Sequence, residues 1–222
     1  CCVITGDLAH RGEAAAYAAL REQIGRLPFP CFPLLGNHDA RGLFAAAFPG
    51  ALDDGNGFVQ GRFDVDGATL LMLDTLDEGR NGGLYCDKRQ AWIHRELDRV
   101  GGERPVYLFM HHPPFDIGIP CLDRIGLSNP EPFVKLAAER TNLRHLFFGH
   151  VHRPVCGSWK GIAYSTLRGL NHQVPFDLHT VSPVPKSHEP PAYAVVFLAP
   201  EQVTVHFHDY LDKSTLPSGG PQ

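Results

Sequence analysis

An α/β fold is predicted from two features of the 222-residue sequence. Short apolar or β-branched runs alternate with Ala-, Leu-, Glu- and Arg-rich stretches of helical length, the pattern of strands interleaved with helices. Four of the short runs also end abruptly in polar residues, three of them through a glycine. That is how strands behave when their carboxyl ends open into loops at one shared edge of an open sheet.

Taken in order, CCVIT at the start reads as a buried strand, and Glu13 to Leu27 as a helix built from good helix formers. CFPLL is a second strand and RGLFAAAF a short helix stopped by Pro49. Phe58 to Asp74 reads as a hairpin turning at Asp66-Gly67, a pair suited to a two-residue turn. DKRQAWIHRELDRV is a helix, VYLFM a strand, Glu131 to Arg140 a helix, and LRHLFF a strand that stops at Gly149. Val155 to Thr166 and Ala192 to Phe207 are strand-like. Between Val174 and Pro191 lies a loop with five prolines. We expect one domain over residues 1–222, with 174–222 a candidate cap or dimer contact.

With 43% hydrophobic and 20% charged residues the chain can bury one sizeable core. A formal charge of -4, with no basic stripe, argues against a nucleic-acid partner. No apolar run is long enough for a membrane-spanning helix. The six cysteines show no CxxC pair, which fits reduced thiols and a cytoplasmic setting. Cys1 and Cys2 read as small buried strand residues without a redox role.

Thirteen histidines are many for this length, and they cluster. CCVIT leads to Gly6-Asp7, CFPLL to Gly36-Asn37-His38-Asp39, VYLFM to His111-His112-Pro113-Pro114, and LRHLFF to Gly149-His150-Val151-His152. Carboxylate, amide oxygen and imidazole without thiolate form a donor set for a divalent ion such as zinc, manganese or iron. In an extended segment His150 and His152 point the same way, so both can reach one metal pair.

GDLAHRG, GNHD, HHPP and GHVH, in this order, resemble the calcineurin-like metallophosphoesterases, and LRGLNHQVPF resembles their cyclic-nucleotide and glycerophosphodiester phosphodiesterase branch. The likeness runs from Gly6 to about Phe176. It implies a two-layer β-sandwich flanked by helices, with two divalent ions (manganese, iron or zinc) at one edge. It implies hydrolysis of small phosphodiesters by attack of a metal-bridging hydroxide. Carried over, Asp7 bridges the ions, Asn37, His111 and His150 complete one site, and His152 serves the other. His38 is implied as the catalytic histidine facing substrate, with Asp39 orienting it. His112 and His172 are read as substrate-side residues, with a place behind the ligands as the alternative for His112 and structural hydrogen bonding as the alternative for His172.

The family's first motif, Asp-x-His on a preceding strand, has no counterpart here. We therefore expect a missing N-terminal strand and helix, one incomplete metal site, and a natural start that could carry a signal peptide. Two rival readings are a phosphomonoesterase or protein phosphatase of the same fold and a non-catalytic metal-binding scaffold. The partners expected are a small phosphodiester and a second copy of the chain. The loop from Phe115 to Asn129 is read as a wall of the substrate site. His10, His94, His145, His179, His188, His206 and His208 lack motif support and are read as structural or solvated.

Overall fold

The apolar runs form strands, but two sheets carry the four motifs where the sequence suggested a single shared edge. In the computed structural model, which describes residues 1–214, elements are numbered along the chain. Strands β1 (Cys2–Ile4) and β2 (Cys31–Pro33) make a two-stranded parallel sheet. A six-stranded sheet is built from β3 (Gly61–Val65), β4 (Ala68–Met72), β5 (Val106–Met110), β6 (Leu143–Phe148), β7 (Cys156–Trp159) and β8 (Ile162–Thr166), in the order β3-β4-β5-β6-β8-β7. Its four inner strands are parallel, and β3 and β7 join antiparallel at the edges. A separate hairpin joins β9 (Tyr193–Ala199) to β10 (Gln202–His208).

The helices are α1 (Ala14–Ile24), α2 (Arg41–Ala47), α3 (Asp87–Val100), α4 (Pro120–Asp123) and α5 (Glu131–Glu139). Helix α1 stops three residues before the expected end, where the Gly25 N–H closes on the Arg21 carbonyl. The Asp66-Gly67 turn forms as expected, with Val65 opposite Ala68. Each of the two late strand-like stretches splits into a hairpin. The first turns at Lys160-Gly161, both with positive φ, the left-handed geometry of a tight two-residue turn. Helix α4 lies within the loop from Phe115 to Asn129, which the sequence pattern left irregular.

Successive residues on a strand face opposite ways, and both faces of the central sheet are covered. Leu71, Leu108, Met110, Leu146 and Phe148 meet Trp92, Ile93 and Leu97 of α3 and Phe133 and Leu136 of α5. On the other face, Leu70, Met72, Tyr107 and Phe147 meet Val3 and Phe32 from the small parallel sheet and Val196, Val203 and Val205 from the terminal hairpin. Tyr17 of α1 and Phe44 of α2 close the outside of that layer against Leu35, Val59 and Leu76. Each fully buried Leu or Phe contributes about 1.5–3 kcal/mol. Helix propensity differs by only about 0.7 kcal/mol per ordinary residue, so packing holds these helices. The layers are therefore helices, a mixed central sheet, a layer of two small sheets, and helices again. No helix among the described residues is long and apolar enough to cross a membrane.

Candidate active site and metal centre

The loops after β1, β2, β5 and β6 converge although they leave different sheets. Close backbone approach makes this possible. A Cβ on Gly149 would overlap the Thr5 carbonyl oxygen, and one on Gly36 would overlap the Asp7 carboxylate. Asp7, His150 and His152 hold φ of 57°, 62° and 51°. Left-handed backbone at a non-glycine residue costs about 1–3 kcal/mol. The packing around the site therefore sustains strain at three of the motif residues.

Asp39 binds two of these loops together. Buried, it accepts N–H groups from Leu8 and Ala9 at 3.1 Å and Gly36 at 2.8 Å, and the Tyr17 hydroxyl at 3.0 Å. Tyr17 in turn accepts the Ala40 N–H at 2.8 Å. Burial pushes the Asp39 carboxyl above its ordinary range despite these donors. The loop after β1 is thereby pinned to the loop after β2, so Asp39 acts on the backbone that carries His38. The His38 ring has a different partner: its Nδ1 donates to the His10 carbonyl at 2.8 Å.

At the centre, His111 Nε2 lies 3.2 Å from Asn37 Oδ1 and 3.4 Å from an Asp7 carboxylate oxygen. His150 Nδ1 lies 3.1 Å from the same Asn37 oxygen. The other nitrogen of His111, Nδ1, sits 2.7 Å from the Thr5 carbonyl and so carries the proton. Neutral His111 then aims a bare lone pair at two oxygens. A proton or a cation between them satisfies all three atoms. Burial works against charge on both partners, but attraction between them prevails: the Asp7 carboxyl is held well below its ordinary range, and His111 is raised. His150 is pushed down to about 3, chiefly by burial, and its Nε2 has no hydrogen-bond partner. A carboxylate, an amide oxygen and two imidazoles linked through these contacts make a donor set that fits a divalent ion.

His112 is fully buried behind this group. Its ring lies edge-on to His111, its Nδ1 meets the Thr75 hydroxyl at 2.8 Å, and burial pushes its pKa well below the ordinary value. His111, His112 and His150 together place one ring nitrogen each within 4.8 Å of one another. His152 donates Nδ1–H to the His172 carbonyl at 2.7 Å, and the two rings lie tilted against each other with 4.6 Å between centroids. The exposed pair His38 and His10 repeats that arrangement at 5.3 Å. The loop from Phe115 to Asn129 packs Ile119, Cys121 and Leu122 behind Val151, so it buttresses the GHVH turn from the side. Its Asp123 carboxylate is occupied by the Ile117 N–H at 2.7 Å.

A calcineurin-like phosphoesterase family model matches residues 2–154, the span that contains all four converging loops. The chain belongs to this family. The phosphoesterase is 42% identical over 92% of its length to a probable cyclic nucleotide phosphodiesterase of Rhodopseudomonas palustris, covering 75% of that protein. It is 29% identical over 78% of its length to a glycerophosphodiester phosphodiesterase of Enterobacter lignolyticus, and 31% over 67% to a 3',5'-cyclic adenosine monophosphate phosphodiesterase of Pseudomonas aeruginosa. It spans 63% and 53% of those two. The fold matches a dimetal phosphatase from Danio rerio at a TM-score of 0.57 and 15% identity, over 70% of this chain and 66% of that one.

Sequence reasoning about this phosphoesterase missed the residues that hold the histidines. The Thr5 and His10 carbonyls fix the ring tautomers of His111 and His38, and a backbone carbonyl leaves no residue-type signal. His10 had one weak signal, its place inside the GDLAHRG motif. Tyr17 and Thr75 had none.

Proposed function

We propose that this phosphoesterase is a metal-dependent phosphodiesterase of small diesters, cyclic nucleotides or glycerophosphodiesters, in line with the activities of its relatives. The observation that carries the reading is the chain of close contacts in which His111 and His150 both meet the Asn37 oxygen and His111 also meets the Asp7 carboxylate. These four would hold one manganese, iron or zinc ion; Asp7 and His152 would contribute to a second. Bound there, such ions supply Lewis-acid stabilisation of phosphoryl oxygens and a water of lowered pKa.

The chain's own residues do the rest. His38 is exposed at the rim, with Nδ1 fixed on the His10 carbonyl, so Nε2 is the atom that meets the leaving-group oxygen. His172 leans on the His152 ring and would border the substrate. His112 supports the ligand rings from behind, because burial leaves it no surface for substrate.

A diester fits better than a monoester. A dianionic monoester calls for free guanidinium groups, yet Arg41 is engaged by Asp74 and Glu78, Arg153 by the Val174 carbonyl and Glu189, and Arg168 by Asp209 and Glu189. Assay of the manganese-loaded protein on bis-p-nitrophenyl phosphate and p-nitrophenyl phosphate tests this. The diester is expected to turn over faster; a monoester preference would favour the phosphatase reading, and no turnover of either the scaffold reading. The outward face of the terminal hairpin, where Tyr193, Val195 and Phe197 are exposed, supports a cap or dimer contact.

A further inference from the structure

The parallel register of β1 and β2 sets Cys2 directly opposite Cys31. Side chains of directly opposed residues on parallel strands leave the same face, and strands lie about 4.8 Å apart. That spacing falls within the roughly 4.4–6.8 Å between Cα atoms that a disulfide spans. Cys1 and Cys2 are not the buried packing residues read from the sequence: Cys1 is exposed, and Cys2, like Cys31, is half-buried. Val3 and Phe32, the next residues on each strand, turn into the core, so the two thiols turn the other way, towards the outer helices. There Cys31 lines an open cleft of about 210 Å³ with Arg21, Ile24 and Phe48, which gives a small oxidant or thiol a way in.

We propose that Cys2 and Cys31 are a reversible disulfide site that fastens β1 to β2. Pairing with the Cys31 thiol opposite it brings Cys2 down to about 7 and makes it the attacking thiolate. The same pairing, and after it burial, raises Cys31. With a peroxide as oxidant, the Cys2 thiolate attacks one peroxide oxygen, the O–O bond breaks, and Cys2 becomes a sulfenic acid. The Cys31 sulfur then displaces the hydroxyl, which leaves as water with the Cys31 proton. In sum two thiols lose two electrons and two protons to form one S–S bond, and the peroxide is reduced to two waters. The bond would join the strand leading to Thr5 and Asp7 with the strand leading to Asn37 and His38, so it fixes the part of the metal centre that the small parallel sheet supplies.

The test is oxidation of the folded, fully reduced protein with a slight excess of hydrogen peroxide, followed by non-reducing tryptic mapping. The expected product links peptide 1–11 to peptide 27–41, with fragmentation placing the bond on Cys2 and not on Cys1. Titratable thiols fall from six to four, the intact mass drops by two hydrogens, and dithiothreitol restores both. C31S should abolish the link and C86S should leave it unchanged, each checked for native circular dichroism. Formation of a Cys1–Cys31 bond, a stable sulfenic acid on Cys2, or oxidation elsewhere while Cys2 and Cys31 stay free would each overturn the proposal. The wild-type map alone decides it if a variant fails to fold.

Discussion

The two ends of β6 each carry a buried histidine with an unpartnered ring nitrogen. His145, near the start of the strand, rests Nε2 on the Ser165 hydroxyl at 2.9 Å and stacks on Phe147. His150, just past the strand's end, has left-handed backbone and faces the Asn37 oxygen, with Asp7 close by. Burial depresses both, His145 to about 4 and His150 to about 3. Burial and a depressed pKa therefore do not distinguish a ligand from a core histidine. Their neighbours do: an acceptor-only oxygen set at one end, a hydroxyl that can give or take a proton at the other.

The sharpest way to erase that difference is to neutralise the site end. D7N removes the carboxylate while keeping its shape, and with it the charge that raises His111. Diester hydrolysis should fall by more than the roughly 10²–10⁴-fold that loss of a general acid produces, and metal retained after dialysis, read by elemental analysis, should fall with it. Unchanged metal content would break the assignment of Asp7 as a ligand. H38A separates acid from ligand. Turnover should drop by about 10²–10⁴-fold with metal content preserved, and the loss should be smallest for diesters with an activated p-nitrophenolate leaving group.

D39A tests how far the site end depends on its backing. It would leave the buried N–H groups of Ala9 and Gly36 and the Tyr17 hydroxyl without their acceptor. At about 1–3 kcal/mol for each unmet buried donor, partly relieved by relaxation, a loss of about 3–5 kcal/mol is expected in urea unfolding. Metal affinity should weaken by about 10–100-fold. A variant of native stability would show that the two loops do not need this pin.

The same contrast explains what could be read from the sequence. His150 stands out in the sequence as a candidate ligand because it stands with His152 behind a glycine at a strand end, and Asp7, Asn37 and His111 because each follows its own apolar run. The strands themselves were legible from their apolar runs, and the β3–β4 turn from Asp66-Gly67. What was not legible is pairing at a distance. Nothing local says that β1 takes Cys31 of β2 as its partner while β5 takes β4 and β6, because both sets of strands are short apolar runs of the same kind. The turns at Lys160-Gly161 and after Ala199 were lost inside longer strand-like stretches. The carbonyls that fix ring tautomers are invisible in any sequence, which is why His10 was set aside with His145.

The smallest expected effect lies at the other end of β6 and is read in stability against pH. His145 is neutral and buried in the folded chain, with its pKa depressed to about 4 from 6.5. Below about pH 6.5 the unfolded chain takes up a proton that the folded chain refuses until about pH 4. The stabilising contribution is therefore whole above that window and is lost as pH falls through it. At 1.36 kcal/mol per unit the loss approaches about 2–3 kcal/mol. H145F removes the titrating group and keeps a ring to stack on Phe147, so the difference between wild-type and variant unfolding free energies should change by that amount between pH 7 and pH 4. Diester turnover at pH 7.5 should stay within about twofold, since His145 meets Ser165 and Phe147 and no ligand. A flat difference across the window would mean that the hydroxyl of Ser165 accommodates the imidazolium, and a large loss of turnover would mean that the two ends of β6 are mechanically coupled.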